Sequence, residues 1–160
     1  MKSAYKNILV AVPPPSFEWY RQPVDVIRKT SAALSMVPGV HLTFLSVYSV
    51  VADLGNGEVN LLPPEIFKEA VEEHEKKLKA DVKAYVKWFT DNGIPHTIIM
   101  ERGENPADTV IKCARDRKAD LILIGRHHDH SIFDIFSPNV AEQIAKHAPC
   151  DVMQVSAGKQ

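Results

Sequence analysis

Short apolar runs alternate along the chain with longer stretches in which apolar residues recur at every third or fourth position. The short runs are rich in β-branched residues and predict buried strands at Asn7–Val12, His41–Val50, Pro95–Met100, Asp120–Ile124 and Asp151–Val155. The longer stretches predict helices at Pro23–Met36 and Glu65–Thr90, and two more that begin at Asn105-Pro106 and at Ser137-Pro138. Because strands alternate with helices, we predict an α/β fold with a five-stranded parallel sheet and helices on both faces.

The length and composition of the chain favour one domain and argue against several classes of function. Its 160 residues, 45% of them hydrophobic, can form one compact domain over 1–160. The 19 basic and 20 acidic side chains nearly cancel, so the charge does not favour binding to nucleic acid or to a membrane. No apolar stretch approaches the length of a membrane span or of a signal-peptide core, and we expect a cytoplasmic protein. Cys113 and Cys150 lie far apart and are expected to be reduced thiols.

The segment Gly125–Val140 lies where a parallel sheet of this kind binds ligands, because it joins the fourth strand to the last helix. A helix that begins there offers unpaired backbone N–H groups to an anion such as phosphate. The segment has one glycine, Gly125, followed by three histidines, two phenylalanines and a proline. Its position therefore favours phosphate binding, whereas its residues do not.

The chain resembles a single-domain universal stress protein over nearly its whole length. The resemblance rests on NILVAV in the first strand, GENPAD before the third helix, ADLILIGRHH around the fourth strand and AEQIAKHAPCDVMQV at the end. It implies a Rossmann-like sandwich of the adenine-nucleotide α-hydrolase type. It also implies a homodimer that forms through the last strand, at Val152, Met153, Gln154 and Val155. Such an edge strand has unpaired backbone groups that a second copy can use.

The nucleotide motif of that family is altered in this chain. Members that bind nucleotides carry G-x2-G-x9-G-[S/T] between the fourth strand and the last helix. At the same spacing this chain has Gly125, His128, Pro138 and Asn139, so only the first glycine is retained. Glycines let backbone N–H groups approach phosphate closely, and Pro138 also lacks an N–H group.

The first strand departs from the family pattern as well. Nucleotide-binding members usually end this strand with an aspartate that helps to hold the nucleoside, and here Val12 is followed by Pro13. We therefore expect no tightly bound cofactor, and we expect the apolar residues Phe133, Ile135 and Phe136 to fill the pocket or to contact a partner. Binding of ATP or AMP stays open, and its candidate residues are Val12, Pro13, Gly125, Arg126, His128, Pro138 and Asn139.

Three histidines in this segment, His127, His128 and His130, are residues of a type that binds transition metals. Neighbouring residues of one loop seldom converge on one ion without ligands from elsewhere, so we expect a solvated turn and no metal site. Metal binding through the three histidines is a weaker alternative. A pH response is another, because imidazole titrates near neutral pH.

Signatures of the common enzyme classes are missing from the chain. Ser131 and Ser137 lie near histidines, but neither sits in G-x-S-x-G, and Ser137 before Pro138 is better explained as a helix N-cap. Three prolines follow the first strand, where a receiver domain has acidic residues and a dinucleotide site has glycines. We therefore predict a non-catalytic stress-response protein that forms a homodimer and binds an unidentified protein partner. The alternative is an AMP- or ATP-binding switch in which Arg126, His128 and Asn139 hold phosphate.

Overall fold

The computed structural model of the chain describes residues 5–12, 21–49, 61–126 and 137–156, without the side chains of residues 21–23. Strands and helices alternate along these residues. In chain order they are β1 (Asn7–Ala11), α1 (Arg21–Ser35), β2 (His41–Tyr48), α2 (Pro64–Asp91), β3 (His96–Arg102), α3 (Pro106–Asp116), β4 (Leu121–Arg126), α4 (Pro138–His147) and β5 (Asp151–Ser156). This order confirms the predicted α/β fold.

The five strands form one sheet in the order β3-β2-β1-β4-β5, and every pairing is parallel. β1 is therefore the central strand, and β3 and β5 are the two edges. The chain first proceeds outwards from β1 to β3, and it then crosses the sheet to β4 and β5. In open parallel sheets the point where this direction reverses, here between β1 and β4, has a crevice at the carboxyl ends of the strands.

Two consecutive residues of β3 show that helices cover both faces of the sheet. Met100 packs against the cluster of Tyr48 and Leu78, the latter from α2, whereas Ile99 lines a groove together with residues of α3. Successive side chains of a strand point to opposite faces, so α2 and α3 lie on opposite sides. The hydroxyl of Tyr85 in α2 donates to the carbonyl oxygen of Val24 in α1 at 3.1 Å, and α3 packs against α4. The helices thus form two layers, α1 with α2 and α3 with α4.

The core lies on both sides of the central strands. Residues 8–11 of β1 and 121–124 of β4 are at most 1% exposed, including neighbours that point to opposite faces. Burial on both faces explains why these strands are continuous apolar runs instead of alternating ones. On the side of α2, the ring of Phe44 packs on Tyr85 and Phe89, with centroid distances of 6.1 and 4.9 Å.

The ends of the helices carry the signals predicted from the sequence. Asn105 accepts a hydrogen bond from the backbone N–H of Asp108 at 3.2 Å, and Ser137 accepts one from Val140 at 3.2 Å. Gly93, which follows the C-cap of α2, has a φ of +64°, a region that glycine adopts without strain. No helix among the described residues has both the length and the apolar character that a membrane span requires.

Some boundaries differ from the predicted ones. β3 pairs with β2 as far as Tyr48↔Arg102, so Glu101 and Arg102 extend the strand beyond its predicted end at Met100. β4 likewise pairs with β5 as far as Arg126↔Ser156, so Gly125 and Arg126 belong to β4 and not to the segment after it. A polar side chain at the end of a strand can point into solvent while its backbone still pairs, which hydrophobicity alone does not show. Helix α1 begins at Arg21, ahead of the predicted Pro23.

Both cysteines are free thiols, as expected from the sequence. Cys113 is buried in α3, and Cys150 is half-buried just before β5. Burial is the main cause that raises the pKa of each thiol. A raised pKa lowers the thiolate fraction at neutral pH, so neither cysteine has the character of an activated nucleophile.

Candidate functional site

The carboxyl ends of β1 and β4 form the centre of the candidate site. The two strands pair as far as Val10↔Leu123, and the same offset brings Val12 level with Gly125. Both residues are buried. The structure thus brings one candidate residue from each half of the chain to the same end of the sheet, at the switch point where ligands bind in folds of this kind.

β1 and β4 have different backbone partners at this end. The N–H group of Val12 donates to the carbonyl oxygen of Leu45 in β2 at 2.8 Å, whereas Gly125 pairs with Val155 of β5. Arg126 follows as the last residue of β4, and its side chain is exposed. The pairing of β1 with β4 thus ends at Val10↔Leu123, whereas β4 continues to pair with β5 as far as Arg126.

The start of α4 has few backbone donors for an anion. Its first residue, Pro138, lacks an N–H group, and the N–H of Val140 donates to the Ser137 hydroxyl at 3.2 Å. The N–H of Ala141 donates to the carbonyl oxygen of Ser137 at 3.0 Å. Within the first turn of α4, after the N-cap Ser137, only Asn139 keeps an N–H group that no described hydrogen bond uses. A typical phosphate-binding helix start offers several such groups.

The structure describes some of the remaining predicted site residues and not others. Pro138 and Asn139 are exposed at the start of α4. Pro13, His127, His128, His130 and the apolar residues Phe133, Ile135 and Phe136 lie outside the described residues. Within the described ranges, no group of three or more His, Cys, Asp or Glu side chains is placed to hold a metal ion. The roles predicted for the histidines therefore stay predictions.

β5 presents an open edge at one side of the sheet. In the part of the chain that the structure describes, it pairs with β4 alone. The side chains of Val152, Met153 and Val155 are half-buried and pack against the core, whereas Gln154 is exposed. The predicted dimer residues thus form an edge strand whose outer backbone groups are available to another strand.

Polar contacts at the carboxyl end of β2 were not predicted from the sequence. The Tyr48 hydroxyl donates to Oε1 of Glu75 in α2 at 2.8 Å, and the Ser49 hydroxyl donates to Oε2 of Glu104 at 2.6 Å. Burial, followed by the hydrogen bond to Glu75, raises the pKa of Tyr48 to about 12. The residues in each pair are 27 and 55 positions apart, so no local pattern indicates them. They connect β2 to α2 and to the turn before α3.

A groove lies apart from these contacts, at the edge of the sheet opposite to β5. It runs between β3 and α3 and has a volume of about 380 Å³. Its walls carry charged side chains of both signs, including Glu101 and Lys112. None of the residues that line it was predicted as a site residue, because the sequence does not show that β3 is an edge strand.

Comparisons with known proteins agree with this architecture. A family model described as the universal stress protein family matches residues 4–156 of the chain. The chain belongs to the universal stress protein family.

Individual proteins resemble the chain over most of its length. A Staphylococcus epidermidis protein whose name refers to the universal stress proteins is 29% identical over 156 residues, which cover 95% of this chain and 84% of that protein. The solved structure of hypothetical protein MJ0577 has a TM-score of 0.72 at 21% identity, and the match covers 99% of this chain and 100% of that one. A universal stress family protein from Arabidopsis thaliana, solved with AMP bound, has a TM-score of 0.63 at 15% identity, with coverage of 96% and 92%. These structures share the fold of the chain.

Proposed function

We propose that this member of the universal stress family is a non-catalytic, homodimeric binding protein of the cytoplasm that acts through a protein partner. The observation that carries this proposal is the shortage of backbone donors in the first turn of α4. Pro138 has no N–H group and the N–H of Val140 is capped by Ser137, so within the first turn of α4 a phosphate would find only that of Asn139. Phosphoryl transfer needs several donors or a metal ion around the developing charge, and one N–H group of α4 does not provide this stabilisation.

The proposed dimer forms through β5. An exposed edge strand can pair with the same strand of a second copy across a twofold axis, which joins two five-stranded sheets. Val152, Met153 and Val155 are half-buried in the single chain and would lose part of their remaining exposure in the dimer. The gain in apolar burial and in backbone hydrogen bonds supports an association of this kind.

Native mass spectrometry of the purified, untagged chain tests the proposal, because one spectrum reports both the number of subunits and any bound nucleotide. We expect a dimer without nucleotide. Gln154 is exposed near the middle of β5 and tolerates a charge, and a twofold pairing centred on the middle of the strand brings it close to its own copy. The variants Gln154→Glu and Gln154→Lys should each weaken the dimer, and an equimolar mixture should restore it as a heterodimer.

Two results would contradict this proposal. If both charged variants dimerise as tightly as the unmodified chain, β5 is not the interface. If the chain hydrolyses a nucleotide with a rate proportional to enzyme concentration, it is not a non-catalytic protein. Lys146→Glu, an exposed charge change in the last turn of α4, serves as the control that should leave the dimer unaltered.

A second candidate function is an AMP- or ATP-binding switch. Its supporting observation is that Val12 and Gly125 lie level at the switch point of the sheet, and the Arabidopsis thaliana structure shows AMP bound to a protein of the same fold. In this alternative Arg126, His128 and Asn139 hold the phosphate.

Calorimetric titration with AMP and with ATP should then show a large loss of affinity in the Arg126→Ala, Asn139→Ala double variant. The Arg115→Ala variant, at an exposed position of α3, is the matched control. Equal affinity of the double variant and the unmodified chain would remove Arg126 and Asn139 from this model.

A further inference from the structure

The groove between β3 and α3 combines an open strand edge with an apolar floor and charged walls. Ile99 of β3 and Cys113 of α3 form apolar parts of its lining. Asp108, Lys112 and Asp116 line it along one stripe of α3, and all three side chains are exposed. The groove is therefore neither a purely apolar patch nor a surface of one charge sign.

The first five residues of β3 lack the features that usually protect the edge of a sheet, and its two charged residues, Glu101 and Arg102, come last. Among the described residues it pairs with β2 alone, so its outer backbone groups face away from the sheet. Protected edges commonly contain proline, lysine or other charged residues. Residues 96–100 contain no proline and no Asp, Glu, Lys or Arg, and they include the half-buried Ile98, Ile99 and Met100. This strand can accept another extended segment.

The charges on α3 have the spacing of alternate residues in an extended chain. Asp108, Lys112 and Asp116 are each four positions apart, which corresponds to about 6 Å along a helix axis. Alternate side chains of a β-strand are about 6.7 Å apart. The negative, positive and negative charges of the helix thus match an extended segment that carries positive, negative and positive charges at every second residue.

These charges are also available to a partner. Lys112 lies one turn from Asp108 and from Asp116, yet it is not within ion-pair distance of either carboxylate. The ion pairs between described residues join Asp25 to Arg28, Lys68 to Glu72 and Lys87 to Asp91, and none of them involves the groove. An incoming segment would therefore not have to break an ion pair of the groove.

We propose that β3 and the groove bind an extended peptide segment of a partner protein, which adds to the sheet as a sixth strand. Its backbone pairs with the outer edge of β3, and its alternate basic, acidic and basic side chains contact Asp108, Lys112 and Asp116. Backbone pairing provides affinity in such complexes, and the alternate side chains provide specificity. The site is at the opposite edge from β5, so each subunit of the proposed dimer would retain it.

Fluorescence anisotropy with the full chain tests this inference. The probe is a fluorescein-labelled peptide of sequence Thr-Lys-Thr-Glu-Thr-Lys-Thr. The comparison peptide, Thr-Glu-Thr-Lys-Thr-Glu-Thr, has threonine at the same positions, with each lysine replaced by glutamate and the glutamate by lysine. We expect the probe to bind about tenfold more tightly than the comparison peptide, which several exposed charge pairs acting together can provide. A probe methylated on alternate backbone nitrogens should lose binding, because it cannot pair with β3.

Variants of α3 distinguish the proposed contacts from general charge effects. The triple variant Asp108→Lys, Lys112→Glu, Asp116→Lys should reverse the preference between the two peptides. Lys79→Glu on α2, at an exposed position of the opposite helical layer, should leave both affinities unaltered. Equal binding of the two peptides, an unaltered preference in the triple variant, or full binding of the methylated probe would overturn the proposal. An oligomer of the chain alone that the triple variant dissociates would also overturn it, because a second copy would then occupy the groove.

Discussion

The hydroxyl group of Tyr48, the last residue of β2, donates a hydrogen bond of 2.8 Å to Oε1 of Glu75 in α2. The ring of Tyr48 is buried against Leu78, and Phe67, Val71 and Met100 pack around these two residues. This small cluster is separate from the main core. It attaches the first half of α2 to the carboxyl end of the sheet, next to the candidate site.

Replacement of Tyr48 by phenylalanine tests the energetic value of this contact. The variant keeps the packing of the ring and removes the hydroxyl group, so it should lower the free energy of unfolding by about 1 kcal/mol. Urea denaturation at pH 7 provides the measurement. Glu75→Gln keeps an acceptor oxygen for the Tyr48 hydroxyl and should be less destabilising. A Tyr48→Phe variant as stable as the unmodified chain would show that the hydrogen bond contributes nothing.

The same contact predicts a dependence of stability on alkaline pH. Burial and the hydrogen bond to Glu75 raise the pKa of Tyr48 from 10.0 to about 12, so the folded chain favours the neutral phenol. Between these two values the unfolded chain loses the proton first, and stability decreases as the pH rises. The stability difference between the unmodified chain and Tyr48→Phe should therefore be constant below pH 10 and should decline from there towards pH 12. A difference that stays constant through this range would contradict the predicted linkage.

Gly103 lies so close to α3 that a larger residue does not fit. A Cβ atom at this position would be 2.3 Å from Oγ1 of Thr109, and the N–H of Gly103 donates to the carbonyl oxygen of Tyr48 at 3.0 Å. Gly103→Ala should lower the free energy of unfolding by about 2 kcal/mol, because either the backbone or Thr109 has to shift. Thermal and urea unfolding of the variant provide the measurement.

A second substitution shows whether this contact is the cause. Thr109→Ala removes the hydroxyl and methyl groups, so the Gly103→Ala, Thr109→Ala double variant should be more stable than the sum of the single effects predicts, by about 1 kcal/mol. Thr109→Ser retains the oxygen atom and should not rescue Gly103→Ala. Strict additivity of Gly103→Ala and Thr109→Ala would exclude the clash with Thr109.

The elements of this fold could be predicted from the sequence because their signals are local. β1 and β4 are apolar throughout because both of their faces are covered, and Asn105 and Ser137 identify the starts of α3 and α4 through hydrogen bonds that span three residues. The resemblance to the universal stress proteins pointed to the correct family. The two ends of the candidate site, Val12 and Gly125, lie where a parallel sheet with a switch point requires.

The order of the strands, in contrast, depends on contacts that no local pattern reveals. Asp120, for example, accepts hydrogen bonds from Lys6, which is 114 residues away. Without the strand order, β3 cannot be recognised as an edge strand. Asp108, Lys112 and Asp116 then resemble the charged residues of any solvent-exposed helix face. The pairing of Arg126 with Ser156 also escapes the sequence, because a polar residue at the end of a strand carries no hydrophobic signal.

The carboxylate of Asp120 holds the start of β1 against the start of β4. It accepts the backbone N–H of Lys6 at 2.8 Å and that of Asn7 at 3.1 Å. Asp120→Ala should lower the free energy of unfolding by about 2 kcal/mol, since two backbone donors lose their acceptor. Asp120→Asn should be milder because one acceptor oxygen remains, and Asp116→Ala, at an exposed position of α3, should have little effect. Equal stability of the Asp120→Ala and Asp116→Ala variants, measured by urea denaturation, would show that the contact is not important.

The cap at Ser137 connects the stability of α4 with its capacity to bind an anion. Ser137 is 3% exposed, and its hydroxyl accepts the N–H of Val140. Ser137→Ala should lower the free energy of unfolding by about 1 kcal/mol, whereas Ser137→Asn should retain most of the stability, because asparagine is a good N-cap.

The alanine variant also releases the N–H of Val140, so a weak site for inorganic phosphate should become stronger in this variant but not in Ser137→Asn. Calorimetric titration with phosphate measures this difference. If Ser137→Ala destabilises the chain without any gain in phosphate affinity, the shortage of backbone donors at the start of α4 is not what limits anion binding there.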